Sequence, residues 1–255
     1  MTIYGASTSD KDQHCSEFLQ RRHADSCIFG NIMNFVDLRA QRAIDEAQRT
    51  SDKAFVKVQH IIQDAGVLSH APCRAHPLNS CVRPGTAIDP CPDPLILDSA
   101  GTPCTPWAAG GKHLGAEDHI HKVPLAWAEM MWRDEPPLGI HENTPLFESA
   151  KMLGRLDGKY LKIEFEVSPA DVGVLAHKRK RLVTVFIHKT KCRVLGDVEA
   201  TPGVQEFTGA SENVKTRAPY IYIYIYIWRI SVGGRPLRAG GSKNSSGLPA
   251  EACGW

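Results

Sequence analysis

Between residues 95 and 189 the hydrophobic pattern switches period several times, and that order of switches restricts the fold more than any other feature. LILDSAG (95–101) reads as a short buried strand, and KVPLAWAEMMWR (122–133) reads as a helix. PLGIHENTP (137–145) is a second short strand, and KYLKIEFEV (159–167) and RLVTVFIHK (181–189) alternate as two more. Strand, helix, strand and then a strand pair predict an α/β sheet with functional loops at strand ends.

Upstream, CIFGNIMNFVDLRAQRAIDEAQR (27–49) reads as a short strand or turn leading into a helix, with Phe35, Leu38, Ile44 and Ala47 on one face. DKAFVKVQHIIQDAGVL (52–68) is a second amphipathic helix, with Phe55, Val58, Ile61 and Ile62 at helical spacing and Gly66 as its stop. Residues 1–26 are polar, loose or helical. The proline-rich segment 69–94 is a long loop, and loops of that length tend to be functional or stiffened by a metal.

Composition narrows the function classes. The formal net charge is +2 over 255 residues, so whole-chain electrostatics exert no strong pull on nucleic acid or membrane. Eight cysteines are too few for a disulfide scaffold, and the N-terminus MTIYGASTSDKDQHC is not a signal peptide. A reducing, intracellular compartment follows, the nucleus if the host is eukaryotic. The longest apolar run, in 220–228, is too short to span a bilayer. It belongs to PYIYIYIYIW, whose alternation from Tyr220 to Ile227 is what a translated AU dinucleotide repeat would give. The segment 196–255 is therefore expected to be a low-complexity, disordered and poorly selected tail.

Within this frame the turn GTPC (101–104) stands out, because it presents Cys104 directly after a proline on a small-residue loop. A nucleophile needs such a setting; a structural cysteine does not. The carboxyl of Glu142 in ENT and the cations of HKRKR (177–181) come from two later strand-end loops. Singly, each has a bland reading: a buried thiol, a strand-end carboxylate, a solvated basic face.

In this order the three loops resemble the cytosine-C5 DNA methyltransferases, over residues 93–190. In that family a strand ends in Pro-Cys, usually followed by Gln-x-Phe-Ser and a glycine; here the run is Pro103-Cys104-Thr105-Pro106-Trp107-Ala108-Ala109-Gly110. Glu-Asn-Val is matched by Glu142-Asn143-Thr144, and Gln-x-Arg-x-Arg by His177-Lys178-Arg179-Lys180-Arg181. The resemblance implies an incomplete Rossmann-like core that binds S-adenosylmethionine and methylates C5 of cytosine in DNA, with RNA as the variant substrate.

The roles it implies follow the chemistry. Cytosine C5 becomes nucleophilic only after something adds to C6, and Cys104 would do so as a thiolate. A free thiol, with a pKa of about 8.5, is only slightly ionised at neutral pH, so the site must assist it. Glu142 would donate a proton to N3, which implies a raised pKa in a partly dry pocket. Arg179 and Arg181 would steady the base and the thiolate. The target base would be flipped out of the duplex. Trp107 stands where the family has phenylalanine and could be packing alone.

The departures are as specific. The family's Phe-x-Gly-x-Gly-Gly cofactor loop has no match. IFGNI resembles instead the later Gly-Asp-Ile element that meets the adenine, with Asn31 in place of aspartate. Asn31 is the one cofactor-binding residue this implies. Only 74 residues (255 minus 181) follow Arg181, which leaves no evident target-recognition region. These absences favour the alternative, a catalytically silent nucleic-acid-binding or interaction module, zinc-stabilised in one version. Cys73, His76, Cys81 and Cys91, with His14, Cys15, His23 and Cys27 upstream, are zinc-type ligands, but Cys-x2-His-x4-Cys is not a standard spacing. They read as scattered thiols, so no metal ligands are assigned. His119 and His121 would face the same way on a possible strand. Three segments result: a helical and loop region (1–92), a methyltransferase-like core (93–195) and the tail (196–255).

Overall fold

The computed structural model describes residues 7–22, 26–76, 80–82, 96–168 and 179–192. Expectations about the tail, the Tyr220–Ile227 repeat, His23, Cys91, His177 and Lys178 concern residues outside these. In chain order the elements are β1 (Ser7–Ser9), α1 (Gln13–Arg22), β2 (Cys27–Phe29), α2 (Leu38–Thr50), α3 (Ala54–Ala65), β3 (His70–Pro72) and β4 (Ser80–Val82). They continue with β5 (Leu97–Gly101), α4 (Lys122–Asp134), β6 (Leu138–Asn143), α5 (Ser149–Leu153), β7 (Tyr160–Val167) and β8 (Arg181–His188). The fold is mixed α/β.

The main sheet has the order β5-β6-β8-β7. β5 and β6 run parallel, joined by a crossover that contains α4, while β8 is antiparallel to both β6 and β7. β1 and β2 form a separate parallel pair, and β3 and β4 an antiparallel hairpin. A bridge between Phe29 and Cys73 ties that hairpin to β2.

α4 is the central helix. Its residues Pro124 to Met131 are all buried, as expected of a helix covered on both sides. Pro124 fits because it lies in the first turn, where no N–H is needed. The helix ends at Glu135, in the left-handed conformation (φ 48°), ahead of Pro136-Pro137. Trp127 and Met131 of α4 share a core with Phe186 and Tyr160 of the sheet, and with Ile44 and Val58 of α2 and α3. Strand alternation then puts Val185 and Ile187 on the opposite face of β8, against Leu138, Ile163 and Phe165.

α2 starts at Asp37, whose side chain accepts the Arg39 N–H at 2.8 Å, and it buries Ala40, Ile44 and Ala47. Leu38 departs from expectation: it is 68% exposed. It is the first helical residue, and six residues of helix rotate Ile44 well away from it. α3 buries Phe55, Val58 and Ile62 and stops at Gly66, whose φ of 65° suits glycine. His119 and His121 do not lie on a strand but in a 3-10 turn ahead of α4. His121 is fully buried there, while the side chain of His119 is 63% exposed beside Asp118. Among the described residues no helix is long and apolar enough to cross a membrane.

Candidate functional site

The register of the main sheet brings the three motif loops to one edge. Because β5 and β6 are parallel, Gly101 pairs with Glu142 and both strands finish on the same side. Because β8 runs the other way, it begins there: Asn143 pairs with Leu182, and Val167 with Arg181. The Cys104 turn, Glu142-Asn143-Thr144 and the start of β8 therefore share the carboxyl edge of the parallel pair, where α/β sheets place their ligands.

A buried network holds two of these loops together. The Asn143 amide donates from Nδ2 to the Thr102 carbonyl at 3.1 Å and to its Oγ1 at 3.0 Å. Asn143 Oδ1 in turn accepts the Thr144 N–H at 2.9 Å. Thr102 Oγ1 also lies 2.8 Å from His141 Nε2. His141 is fully buried between the rings of Trp127 and Phe147, at 5.2 and 4.9 Å. That burial lowers its pKa to about 4, so the ring stays neutral.

Beyond Thr102, the Cys104 carbonyl accepts the N–H groups of Trp107 and Ala108, both at 2.9 Å. This tight turn leaves Cys104 half-buried. Trp107 anchors it from below, fully packed, with its ring edge-on to Phe147 at 4.8 Å and its Nε1 donating to Glu148 at 3.1 Å. The packing reading of Trp107 holds. Gly111 closes the turn: a Cβ there would lie 1.8 Å from the Thr105 carbonyl oxygen.

Glu142 and Arg181 form an ion pair through Nε and Oε1. The Glu142 side chain is 46% exposed and that of Arg181 19%, so the partly dry pocket expected around Glu142 is not found: the carboxylate lies at the surface, paired with a cation. Gly101 lies beneath the carboxylate, and a Cβ there would be in ordinary contact with Glu142 Oε2 at 3.4 Å. Arg179 is exposed just ahead of β8, and Lys180 pairs with Glu166 at 3.3 Å. So Cys104, Glu142, Arg179 and Arg181 gather at one edge. Thr102 and His141, which hold that edge, carry no motif by which sequence reading would find them.

Asn31 is elsewhere, just beyond β2. Its Oδ1 caps the 3-10 turn Ile32–Phe35 by accepting the Met33 N–H at 3.0 Å. With Lys11, Gly30, Asn34 and Arg74 it lines an open groove. The cofactor contact expected of Asn31 therefore falls on this groove. Among the ligand-type residues, Cys27, Cys73, His76 and Cys81 come together, whereas Cys15 is exposed on α1.

No protein-family model and no curated protein matches the chain. Among solved structures it is similar to a DNA modification methyltransferase encoded within an Escherichia coli prophage, at 12% identity and a TM-score of 0.38. The alignment covers 74% of this chain and 42% of that one. It is similar also to a methyltransferase of Entamoeba histolytica, at 11% identity and a TM-score of 0.39, over 73% of this chain and 46% of the other. The chain thus spans less than half the length of either.

Proposed function

We propose that the chain is a methyltransferase of the cytosine-C5 type, built on a partial Rossmann-like core and acting on DNA. The observation that supports this best is the shared edge: the Cys104 turn, Glu142 and Arg181 come from three separated segments and lie at the carboxyl edge of the β5–β6 pair.

In this reading the Cys104 thiolate adds to C6 of a flipped cytosine, forming a C–S bond and moving the ring's electron pair toward C5. Once the base displaces the Arg181–Glu142 pair and the carboxyl takes up a proton, Glu142 donates that proton to N3 as charge develops there, and Arg181 and Arg179 hold the base and the electron-rich sulfur. S-adenosylmethionine, when bound, supplies the electrophilic methyl; Asn31 would hold its adenosyl half. Loss of the C5 proton to a base, expulsion of Cys104 from C6 and return of the N3 proton to Glu142 restore the aromatic ring, the thiolate and the carboxyl. The Asn143–Thr102 lock keeps the thiol loop and the carboxyl loop in fixed register, so that positioning contributes to the rate.

One observation favours a silent nucleic-acid-binding module instead: Glu142 is already engaged by Arg181. Methyl incorporation separates the two readings. The full chain with labelled S-adenosylmethionine and cytosine-containing duplex DNA, alongside tRNA, should label one nucleic acid. Cys104→Ser should abolish the label, and Glu142→Gln should reduce it by about 10²- to 10⁴-fold. Binding without incorporation on either substrate would overturn the enzymatic reading.

A further inference from the structure

Four zinc-type ligand atoms from three stretches of chain meet beside β2. Cys27 opens that strand, Cys73 and His76 lie at the turn of the β3–β4 hairpin, and Cys81 is in β4. Their ligand atoms all lie within 4.8 Å of one another. His76 Nδ1 stands 3.5 Å from the Cys73 sulfur, 3.5 Å from that of Cys81 and 3.9 Å from that of Cys27.

Hydrogen bonding does not account for this arrangement. A single imidazole nitrogen has one N–H or one lone pair, so it can satisfy at most one of three surrounding sulfurs. A tetrahedral cation accounts for all of it. Zinc bonds of about 2.3 Å to sulfur and about 2.0 Å to nitrogen set nitrogen–sulfur edges of roughly 3.5 Å. We propose that Cys27, Cys73, His76 and Cys81 form a Cys3His zinc site that staples the β3–β4 hairpin to β2. This inference stands apart from the methyl-transfer reading.

The local structure shows what such a staple would hold. Each hairpin strand has three residues, and His70, Pro72, Ser80 and Val82 are all exposed. Ala71 is its one fully buried strand residue among those described. A two-stranded hairpin with so little core is marginal by itself. Its attachment to β2 runs through the site: the Ile28 N–H donates to the Cys73 sulfur at 3.4 Å, and the Arg74 N–H to the Ile28 carbonyl at 2.7 Å. Three thiolates around a divalent cation leave a net negative site, and Arg74, folded across Gly30, is the adjacent cation. Four protein ligands leave no open position, so the metal is structural rather than catalytic. Thiolate-rich tetrahedral coordination selects zinc over the hard oxygen-seeking cations.

The site also bears on the groove around Asn31, because Pro72, Cys73 and Arg74 form one of its walls. Loss of the metal would loosen that wall.

Metal analysis of the full chain, purified without added metal or chelator, tests the proposal. About one zinc per chain is expected, retained in Cys15→Ser and lost in Cys27→Ser and Cys81→Ser. Should those variants fail to fold, cobalt titration of the chelator-treated parent chain decides alone. The intense visible bands and the sulfur-to-cobalt charge-transfer absorption of tetrahedral thiolate coordination would support the site. Weak octahedral bands, an iron-sulfur spectrum, or a disulfide among Cys27, Cys73 and Cys81 in place of metal would overturn it.

Discussion

The amide of Asn143 bridges both the carbonyl and the hydroxyl of Thr102, at 3.1 and 3.0 Å, and so fastens the end of β6 to the start of the Cys104 turn. The 2.8 Å contact of Thr102 Oγ1 with His141 Nε2 joins the same two segments one residue before Glu142. The bond pair is buried, and it makes the distance between two chemically distinct loops a property of the sheet rather than of loop flexibility.

Asn143→Ala should therefore cost stability and activity together. It strips the buried Thr102 carbonyl and the Thr144 N–H of their partners, for a loss of about 2–4 kcal/mol in urea unfolding. Thr102→Val keeps the shape and the carbonyl, so its cost should be smaller. The two changes should be non-additive by at least about 0.5 kcal/mol, because they share one network. Additive effects would mean that the lock is not a unit.

Gly111→Ala should damage the Cys104 turn without unfolding the protein. The new Cβ would collide with the Thr105 backbone oxygen, which no side-chain rotation can relieve. Displacement of the turn by roughly 1 Å should lower methyl transfer by about 10²-fold while the thermal midpoint falls only modestly. Unchanged activity would place the turn outside the chemistry.

Trp107→Ala should cost about 3–5 kcal/mol, as large-to-small changes in a packed core do. Trp107→Phe should recover most of this, leaving a deficit of about 1 kcal/mol for the lost bond to Glu148. Thermal or urea unfolding of the two variants checks the order.

Acid should destabilise the chain in a defined window. His141 has its pKa lowered to about 4 in the folded chain by burial, against about 6.5 unfolded. Between those values the unfolded state takes up the proton and the folded state does not, so stability is lost as pH falls from 6.5 to 4. The size is about 3 kcal/mol. Burial lowers His121 and His188 as well, which adds in the same direction. Chemical unfolding across this range should show the loss, and His141→Gln should flatten part of it. A flat profile for the parent chain would mean that His141 is not held neutral.

How much of this could be read from residues alone depends on whether the information is local. β7 and β8 are legible because each carries its own period, in KYLKIEFEV and RLVTVFIHK, whereas β5, expected to be buried, is an edge strand on which Leu97 is 52% exposed. α3 was legible because its apolar spacing and its terminal glycine agree. Convergence of the Cys104, Glu142 and Arg181 loops was foreseeable in outline, since strand ends of a parallel pair share an edge. The lock was not, because Thr102 and His141 acquire their roles only through burial beside Asn143. Cys27 likewise lies 49 residues before His76, and no spacing rule joins it to the hairpin until the Phe29–Cys73 bridge forms. His119 and His121 were misplaced together for a related reason: two-residue spacing matches a strand, but the Asp118 side chain starts a 3-10 turn there by accepting the Ile120 N–H at 3.0 Å.

The most direct test of the central claim is covalent trapping. Fluorine at C5 leaves no proton to remove, so a 5-fluorocytosine-containing duplex incubated with the full chain and S-adenosylmethionine should hold the protein as a stable adduct. Peptide mapping should place the adduct on Cys104. It should vanish in Cys104→Ser and persist in Cys192→Ser, whose thiol sits away at the far end of β8 and donates to the Pro137 carbonyl at 3.2 Å. An adduct that survives Cys104→Ser, or that maps to another cysteine, would contradict the account.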